Sequence, residues 1–347
     1  MKKIFWGVAG CVLAFMLAGC FYRQGSGHII HDLTEEQNLE ERIELQIALQ
    51  NEENHPLCQG MKKFGEILEE ETKGRIALEL YYGASLGDQM AAVRGVQSGT
   101  IDGAMLPAGV VSDYGCAQLK VFNMPYLFDS VAHARAFEKS IFGRALLDSV
   151  QESESRMVCI GTYQEGARNY FFKEQDVRVP EDMEGLVVRC QEGDIYRRVV
   201  EALGASARSL AFSELYSALQ SGVVDGAEQP LSGFVINGYS SICSYYILDQ
   251  HEISPNLILF SEAVWDQLGP EEQEAIRYAF DQSVEYFEKI SDQKDEEYYK
   301  EIEAAGVTIR RVDIKEWKEA SRSVYEAYEK EFGAIIEQIK NIKYKSE

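Results

Sequence analysis

QSGTIDGA at residues 97–104 and QSGVVDGA at residues 220–227 agree at six of eight positions across a separation of 123 residues. Each copy follows a stretch with helical apolar spacing, carries a glycine (Gly99, Gly222) where a helix would stop, and runs into a short apolar segment. Two copies in equivalent contexts predict two α/β lobes of similar build. Two such lobes predict a cleft between them, the usual place for a ligand in a hinged protein. The flanking sequence agrees. Leu45, Ile47 and Leu49 alternate, as do Ile76, Leu78, Leu80 and Tyr82, so both segments read as strands. Between them Leu57, Met61, Phe64 and Leu68 recur at helical spacing, with Gly74 as the stop, giving a strand–helix–strand unit and a parallel pair. Towards the C-terminus, Pro270 follows Gly269, and Ile276, Phe280, Val284, Phe287 and Ile290 form an apolar stripe towards Ala304. That predicts a helix of about 35 residues, or roughly 50 Å, long enough to brace both lobes. A short strand is expected around Val307–Ile309, and Trp317, Val324, Tyr328 and Phe332 then predict one further helix.

The chain has 347 residues, with 57 acidic and 34 basic side chains and a net charge of −23. This balance disfavours nucleic acid and anionic headgroups as partners, because both need a surplus of Lys and Arg. Lys2 and Lys3 precede an uncharged run over residues 4–19, too short for a permanent membrane helix and suited to a secretory signal. The run ends Leu17-Ala18-Gly19-Cys20, which resembles the lipobox of bacterial lipoproteins. The resemblance implies a signal peptide over 1–19, lipid modification of Cys20, a tether over 20–43, and an extracytoplasmic, membrane-anchored protein. Removing residues 1–19 takes two lysines and no acid, leaving a mature charge of −25. His28 and His31 in the tether read as solvated, since two ligands on a flexible stretch make a poor metal site. The cysteines at 58, 116, 159, 190 and 243 show no metal-ligand spacing and predict no particular disulfide.

Five blocks carry a wider resemblance: HPLCQGMKKFGEILEEETKGRI (55–76), GASLGDQMAAVRGVQSGTIDGA (83–104), MPYLFDSVAHARAF (124–137), DMEGLVVRCQEGDIYRRVVEALGASARSLAFSELYSALQSGVVDGAEQPL (182–231) and WDQLGPEEQEAI (265–276). In order and with normal spacing, they resemble the solute receptors of tripartite ATP-independent periplasmic (TRAP) transporters, over about residues 45–300. The resemblance implies a two-lobed, periplasmic-binding-protein-like (type II-like) α/β fold with the long C-terminal helix bracing both lobes. It implies one lobe from 44–165 plus 255–294, and a second from 166–254 plus 295–347 with the C-terminal helices. It also implies capture of a small organic acid by hinge closure and delivery to a membrane permease, without enzymatic activity, cofactor or metal.

A carboxylate held in a nearly dry cleft calls for a guanidinium, whose planar fork offers paired donors and keeps its charge. The resemblance places two there, Arg189 as the carboxylate clamp and Arg168, in Gly166-Ala167-Arg168, as the second. It places Phe212 as an aromatic closing over the ligand, and Gln229 where the family usually has Asn. Cys190-Gln191 departs from the family's common Val-Pro. Glu192 is placed to receive ligand hydroxyls and His251 to line the cleft. Pro107 stands where sialic-acid receptors of this kind carry Glu, which argues against that ligand. Two other readings remain open. Gly83-Ala84-Ser85-Leu86-Gly87 satisfies G-x-S-x-G, and Asp225 and His251 complete an esterase order, although Asp88 is placed to cap a helix that starts too late for a nucleophile elbow. A ligand sensor for a signalling receptor would use the same fold. No P-loop is present, so uptake would draw on an ion gradient.

Overall fold

The computed structural model describes residues 42–345. The calls on the signal, Cys20, and His28 and His31 lie outside the described residues. The chain first runs β1 (Ile43–Ala48), α1 (Pro56–Glu71), β2 (Ile76–Tyr81), α2 (Gln89–Ser98), β3 (Gly103–Pro107), α3 (Ala108–Ser112), α4 (Val131–Glu138), α5 (Ile141–Asp148) and β4 (Met157–Tyr163). It continues through β5 (Asn169–Phe172), β6 (Val187–Cys190), α6 (Asp194–Ala202), β7 (Ser206–Ser209), α7 (Leu215–Ser221), β8 (Gly226–Gln229), α8 (Leu231–Ile236) and β9 (Tyr245–Leu248). It closes with β10 (Asn256–Ser261), α9 (Glu262–Trp265), α10 (Pro270–Ala304), β11 (Thr308–Arg311), α11 (Ile314–Ala320) and α12 (Arg322–Lys340). Two sheets result, ordered β2-β1-β3-β10-β4 and β11-β9-β5-β8-β6-β7.

The repeated octapeptide builds the same joint in each sheet. Gly99 and Gly222 end α2 and α7 in the left-handed conformation, with φ of 73° and 74°. Asp102 Oδ2 then accepts the Gln46 N–H of β1 at 2.8 Å, and Asp225 Oδ2 accepts the Val187 N–H of β6 at 2.8 Å. The next residue is glycine for one reason in both places. A Cβ on Gly103 would lie 2.7 Å from the Leu259 carbonyl of β10, and one on Gly226 would lie 2.5 Å from the Phe171 carbonyl of β5. In each sheet an antiparallel strand crosses tightly over the repeat, and a parallel neighbour is pinned by its aspartate.

The chain passes between the sheets three times: at residues 164–168 between β4 and β5, at 249–255 between β9 and β10, and along α10. The first two crossovers are tied where Arg168 N–H donates to Glu252 O at 2.7 Å in an antiparallel bridge. The third is the 35-residue helix the apolar stripe predicts. Phe280 and Phe287 pack with Phe64 and Tyr163 in the core of the first sheet, while Tyr298 and Ile302 pack with Phe234 and Tyr246 in that of the second. A further apolar cluster joins Leu106 and Phe122 to Val188, Ile195 and, on α12, Phe332.

One expectation needs correction. The pattern from Trp317 to Phe332 is two helices, interrupted at Ser321. Trp317 turns inward to stack near Tyr170, with ring centroids 6.2 Å apart, whereas α12 lies along the loop before α4, its Tyr325 hydroxyl donating to Pro125 O at 2.9 Å.

Candidate functional site between the two sheets

Parallel strands present their carboxyl ends on one side, where the following loops gather and ligands of open α/β sheets bind. Gln50 and Asn51 follow β1, Pro107 ends β3, Gln191 follows β6, Phe212 follows β7, and Gln229 ends β8. These residues line one cavity of about 30 Å³, together with His55, Gln89, Met105, Glu165, Arg168 and Asn256. Six of the twelve side chains are amides. That volume has room for about two waters, so admission of an organic acid requires the walls to part.

Behind the cavity lies a chain of buried charges. Arg168 forms an ion pair through Nε with Glu228 Oε2, and Glu252 Oε1 lies 3.9 Å from the same nitrogen. Burial works against the charge of Arg168, but Glu228 and Glu252 outweigh it and raise its pKa. Glu252 is raised by burial, although Arg168 opposes this, and it accepts from Ser254 Oγ at 2.6 Å and from Asn123 Nδ2 at 2.9 Å. Arg189, on β6, is 0% exposed. Its Nε and Nη2 both donate to Leu210 O, at 3.1 and 2.9 Å, while Nη1 sits 4.0 Å from Glu228 Oε1 without a hydrogen-bond partner. Burial lowers the Arg189 pKa, with Glu228 opposing. An anion at Nη1 would relieve that penalty.

Glu165, in the first crossover, is shared between the sheets. Its Oε1 lies 3.1 Å from His55 Nε2 at the start of α1 and accepts from Ser232 Oγ of α8 at 2.5 Å. Burial would raise its pKa, but His55, together with Ser232 and Arg168, lowers it. His55 Nδ1 accepts the Leu57 N–H at 3.3 Å, so the imidazole that caps α1 also touches the crossover.

Of the residues expected from sequence, Arg168, Phe212 and Gln229 line the cavity, and Arg189 stands behind it across Glu228. Glu192 is half-buried beside them; its carboxyl is raised by burial and by Asp88, with Arg189 opposing. His251 is not among the lining residues. It is 2% exposed, its Nδ1 is 2.7 Å from Asp249 Oδ2, and its ring stacks on Tyr170 at 4.2 Å. The esterase order does not assemble either. His251 is engaged by Asp249, Asp225 holds the Val187 N–H, and Asp88 caps α2 by accepting from Ala91 N–H at 2.7 Å, which leaves Ser85 in the preceding turn. Sequence reasoning missed Gln50, Asn51, His55, Gln89, Glu165 and Asn256. The carboxyl-end rule for parallel strands was the signal that locates the first two.

Among the described residues no group of three or more His, Cys, Asp or Glu side chains is arranged to hold a metal, and no helix is long and apolar enough to cross a membrane. The family description "bacterial extracellular solute-binding protein, family 7" matches residues 47–331. A solute-binding protein of Chromohalobacter salexigens is 28% identical over 262 residues, covering 76% of this chain and 77% of its own. A TRAP periplasmic solute-binding protein of Pseudomonas putida F1, solved with bound D-glucuronate, is 25% identical with a TM-score of 0.85, covering 87% of this chain and 98% of that one. One from Sulfitobacter sp. NAS-14.1, solved with bound β-D-galacturonate, is 27% identical with a TM-score of 0.81, covering 86% and 98%.

Proposed function

Because the chain belongs to family 7 of the bacterial extracellular solute-binding proteins, the receptors of TRAP transporters, we propose that its own ligand is a polyhydroxylated monocarboxylate of the uronate type. The observation that carries this reading is a cavity walled by six side-chain amides with a buried guanidinium nitrogen behind it, Arg189 Nη1, which has no hydrogen bond and only Glu228 Oε1 at 4.0 Å for a counter-charge. The guanidinium suits one carboxylate. Amides, each a donor and an acceptor, suit hydroxyls. A C4-dicarboxylate would need a second free cation, and Arg168 is already committed to Glu228. The relatives from P. putida and Sulfitobacter hold acids of the proposed kind.

In this reading residues 44–165 with 255–294 form one lobe and 166–254 with 295–347 the other. They hinge at the crossovers 164–168 and 249–255, with α10 as the brace. The acid enters when the lobes part, its carboxylate meets Arg189, and closure brings Gln50, Asn51 and His55 over its hydroxyls. The closed form is what the permease accepts. Cys20 carries the lipid that keeps the receptor at the membrane, so Cys20→Ser should move the protein from the membrane to the soluble fraction; retention of the variant would defeat the anchor. Melting temperatures with D-glucuronate, D-galacturonate and succinate test the ligand class. A ligand at 100 times its Kd adds about 2.7 kcal/mol, a shift of several degrees. The uronates should give it and succinate should not; the reverse order would remove the uronate assignment.

A further inference from the structure

Of the six amides in the wall of the cavity between the sheets, Gln89 and Gln191 stand apart. They are 6% and 3% exposed, and each holds one side-chain atom that is shut off from water and has no hydrogen-bond partner. On Gln89 that atom is the carbonyl oxygen Oε1, and on Gln191 it is the amide nitrogen Nε2. A buried polar group left unpaired is costly, and native interiors hold few of them. Two in the wall of one cavity mark positions that a ligand completes.

The two residues belong to different sheets. Gln89 is the first residue of α2, beyond the carboxyl end of β2, and Asp88 fixes that helix start by accepting from Ala91 N–H at 2.7 Å. Gln191 follows β6 directly and lies two residues beyond Arg189, the spacing that returns a side chain to the same side of a strand. The end of β6 is itself held in register, with Cys190 opposite Ser209 of β7. The unpaired atoms are also complementary. Gln89 Oε1 can only accept a hydrogen bond, and Gln191 Nε2 can only donate one. A carboxylate oxygen would satisfy Gln191 but has no proton for Gln89. An ammonium would satisfy Gln89 but cannot accept from Gln191. A hydroxyl does both at once. The cavity, of about 30 Å³, has room for little more than such a group between its walls.

Resting on the receptor reading above, we propose that Gln89 and Gln191 bind one and the same hydroxyl of the ligand, which accepts from Gln191 Nε2 on the second sheet and donates to Gln89 Oε1 on the first. Arg189 holds the carboxylate from one sheet only. The shared hydroxyl is the group that reaches across, so it makes closure depend on which acid is bound. An acid that lacks it leaves both amides unpaired when the sheets meet. A site built to bond a hydroxyl discriminates strongly against such an analogue.

The test is calorimetric titration of the full chain carrying Cys20→Ser, alone and with Gln89→Met, Gln191→Met or both, using whichever of D-glucuronate and D-galacturonate binds the unaltered site more tightly. Methionine keeps the length of the side chain and removes its donor and acceptor. Each single variant should bind about three- to tenfold more weakly, the worth of one neutral hydrogen bond. The double variant should lose little more than either single, because the two amides share one partner. Without ligand, urea unfolding should find both single variants at least as stable as the parent, since methionine replaces an amide atom that is already unpaired. Losses that multiply in the double variant, or a loss at one position only or at neither, overturn the shared hydroxyl and leave the receptor reading intact. Lower stability of the single variants without ligand does the same, because it marks the amides as structural. If the parent binds neither acid, the uronate reading fails and the shared hydroxyl with it.

Discussion

Replacing Arg189 by methionine keeps most of the side-chain volume and removes the charge and every donor. In the structure Nε and Nη2 are spent on Leu210 O, so the guanidinium is aimed by the backbone and Nη1 is the nitrogen left for an anion. One charge-assisted hydrogen bond contributes about 1.5–3 kcal/mol. At about 1.4 kcal/mol per tenfold, Arg189→Met should weaken D-glucuronate binding about 10- to 150-fold. Arg189→Lys keeps a charge but cannot hold Leu210 O and reach the ligand together, so it should fall short of wild type by about tenfold. The substitution also strands the Leu210 carbonyl, a stability loss of about 1–3 kcal/mol that urea unfolding measures separately. Arg168→Met should divide the other way. It leaves Glu228 and Glu252 buried without their cation, so about 3–5 kcal/mol of stability goes before affinity is considered. Calorimetric titration of D-glucuronate into each folded variant is the assay. A folded Arg189→Met that binds within threefold of wild type would refute the assignment of Nη1 to the ligand carboxylate.

Three further outcomes are expected. Asp102→Ala and Asp225→Ala should each cost about 1.5–3 kcal/mol in urea unfolding, by similar amounts, because each removes the charged acceptor of one strand N–H; a loss at only one site would break the equivalence of the two joints. Glu138 and Asp295, both raised to about 7 by burial, hold protons that the unfolded chain has released, so each makes stability fall as pH rises from about 4.5 to 7. Glu138→Gln should remove about half of that slope, and an unchanged slope would mean that Glu138 titrates normally. Gly103→Ala should destabilise the first sheet and Gly226→Ala the second, since each new methyl meets a carbonyl of the crossing strand; thermal unfolding with no change in midpoint would contradict the close approach.

The architecture was legible because its determinants are local and doubled. The octapeptide fixes a helix stop, an aspartate and a glycine in eight residues, and the stripe from Ile276 to Ile290 needs only periodicity. Asp88 against Ser85 was legible for the same reason, as a cap is a one-turn event. What sequence did not disclose depends on contacts between distant segments. The break at Ser321 separates Trp317, which stacks near Tyr170, from α12, whose Tyr325 reaches Pro125. The withdrawal of His251 from the cleft depends on Asp249 and the Tyr170 ring. Gln50 and Asn51, on the near wall of the cavity, sit in a loop with no motif of its own, and His55, which opens a quoted block, gave no sign there of facing the crossover. The resemblance ranks Arg189 as the clamp and Arg168 as the second arginine, but does not show how each is paired. The structure separates them by Glu228, which pairs closely with Arg168 and stands 4.0 Å from Arg189 Nη1.

The central claim is that the two sheets close over a sugar acid, and a distance distribution between them tests it most directly. Spin labels at position 62 on α1 and position 201 on α6, both exposed, report the separation of the lobes in the Cys20→Ser chain. The five described cysteines are all buried, and burial pushes the thiols of Cys159, Cys190 and Cys243 up to about 12, 11 and 12, which disfavours their labelling. Without ligand the distribution should include long distances from parted lobes, and saturating D-glucuronate should collapse it to one shorter distance, an effect lost in Arg189→Met. A distribution that D-glucuronate and D-galacturonate both leave unchanged would contradict the account.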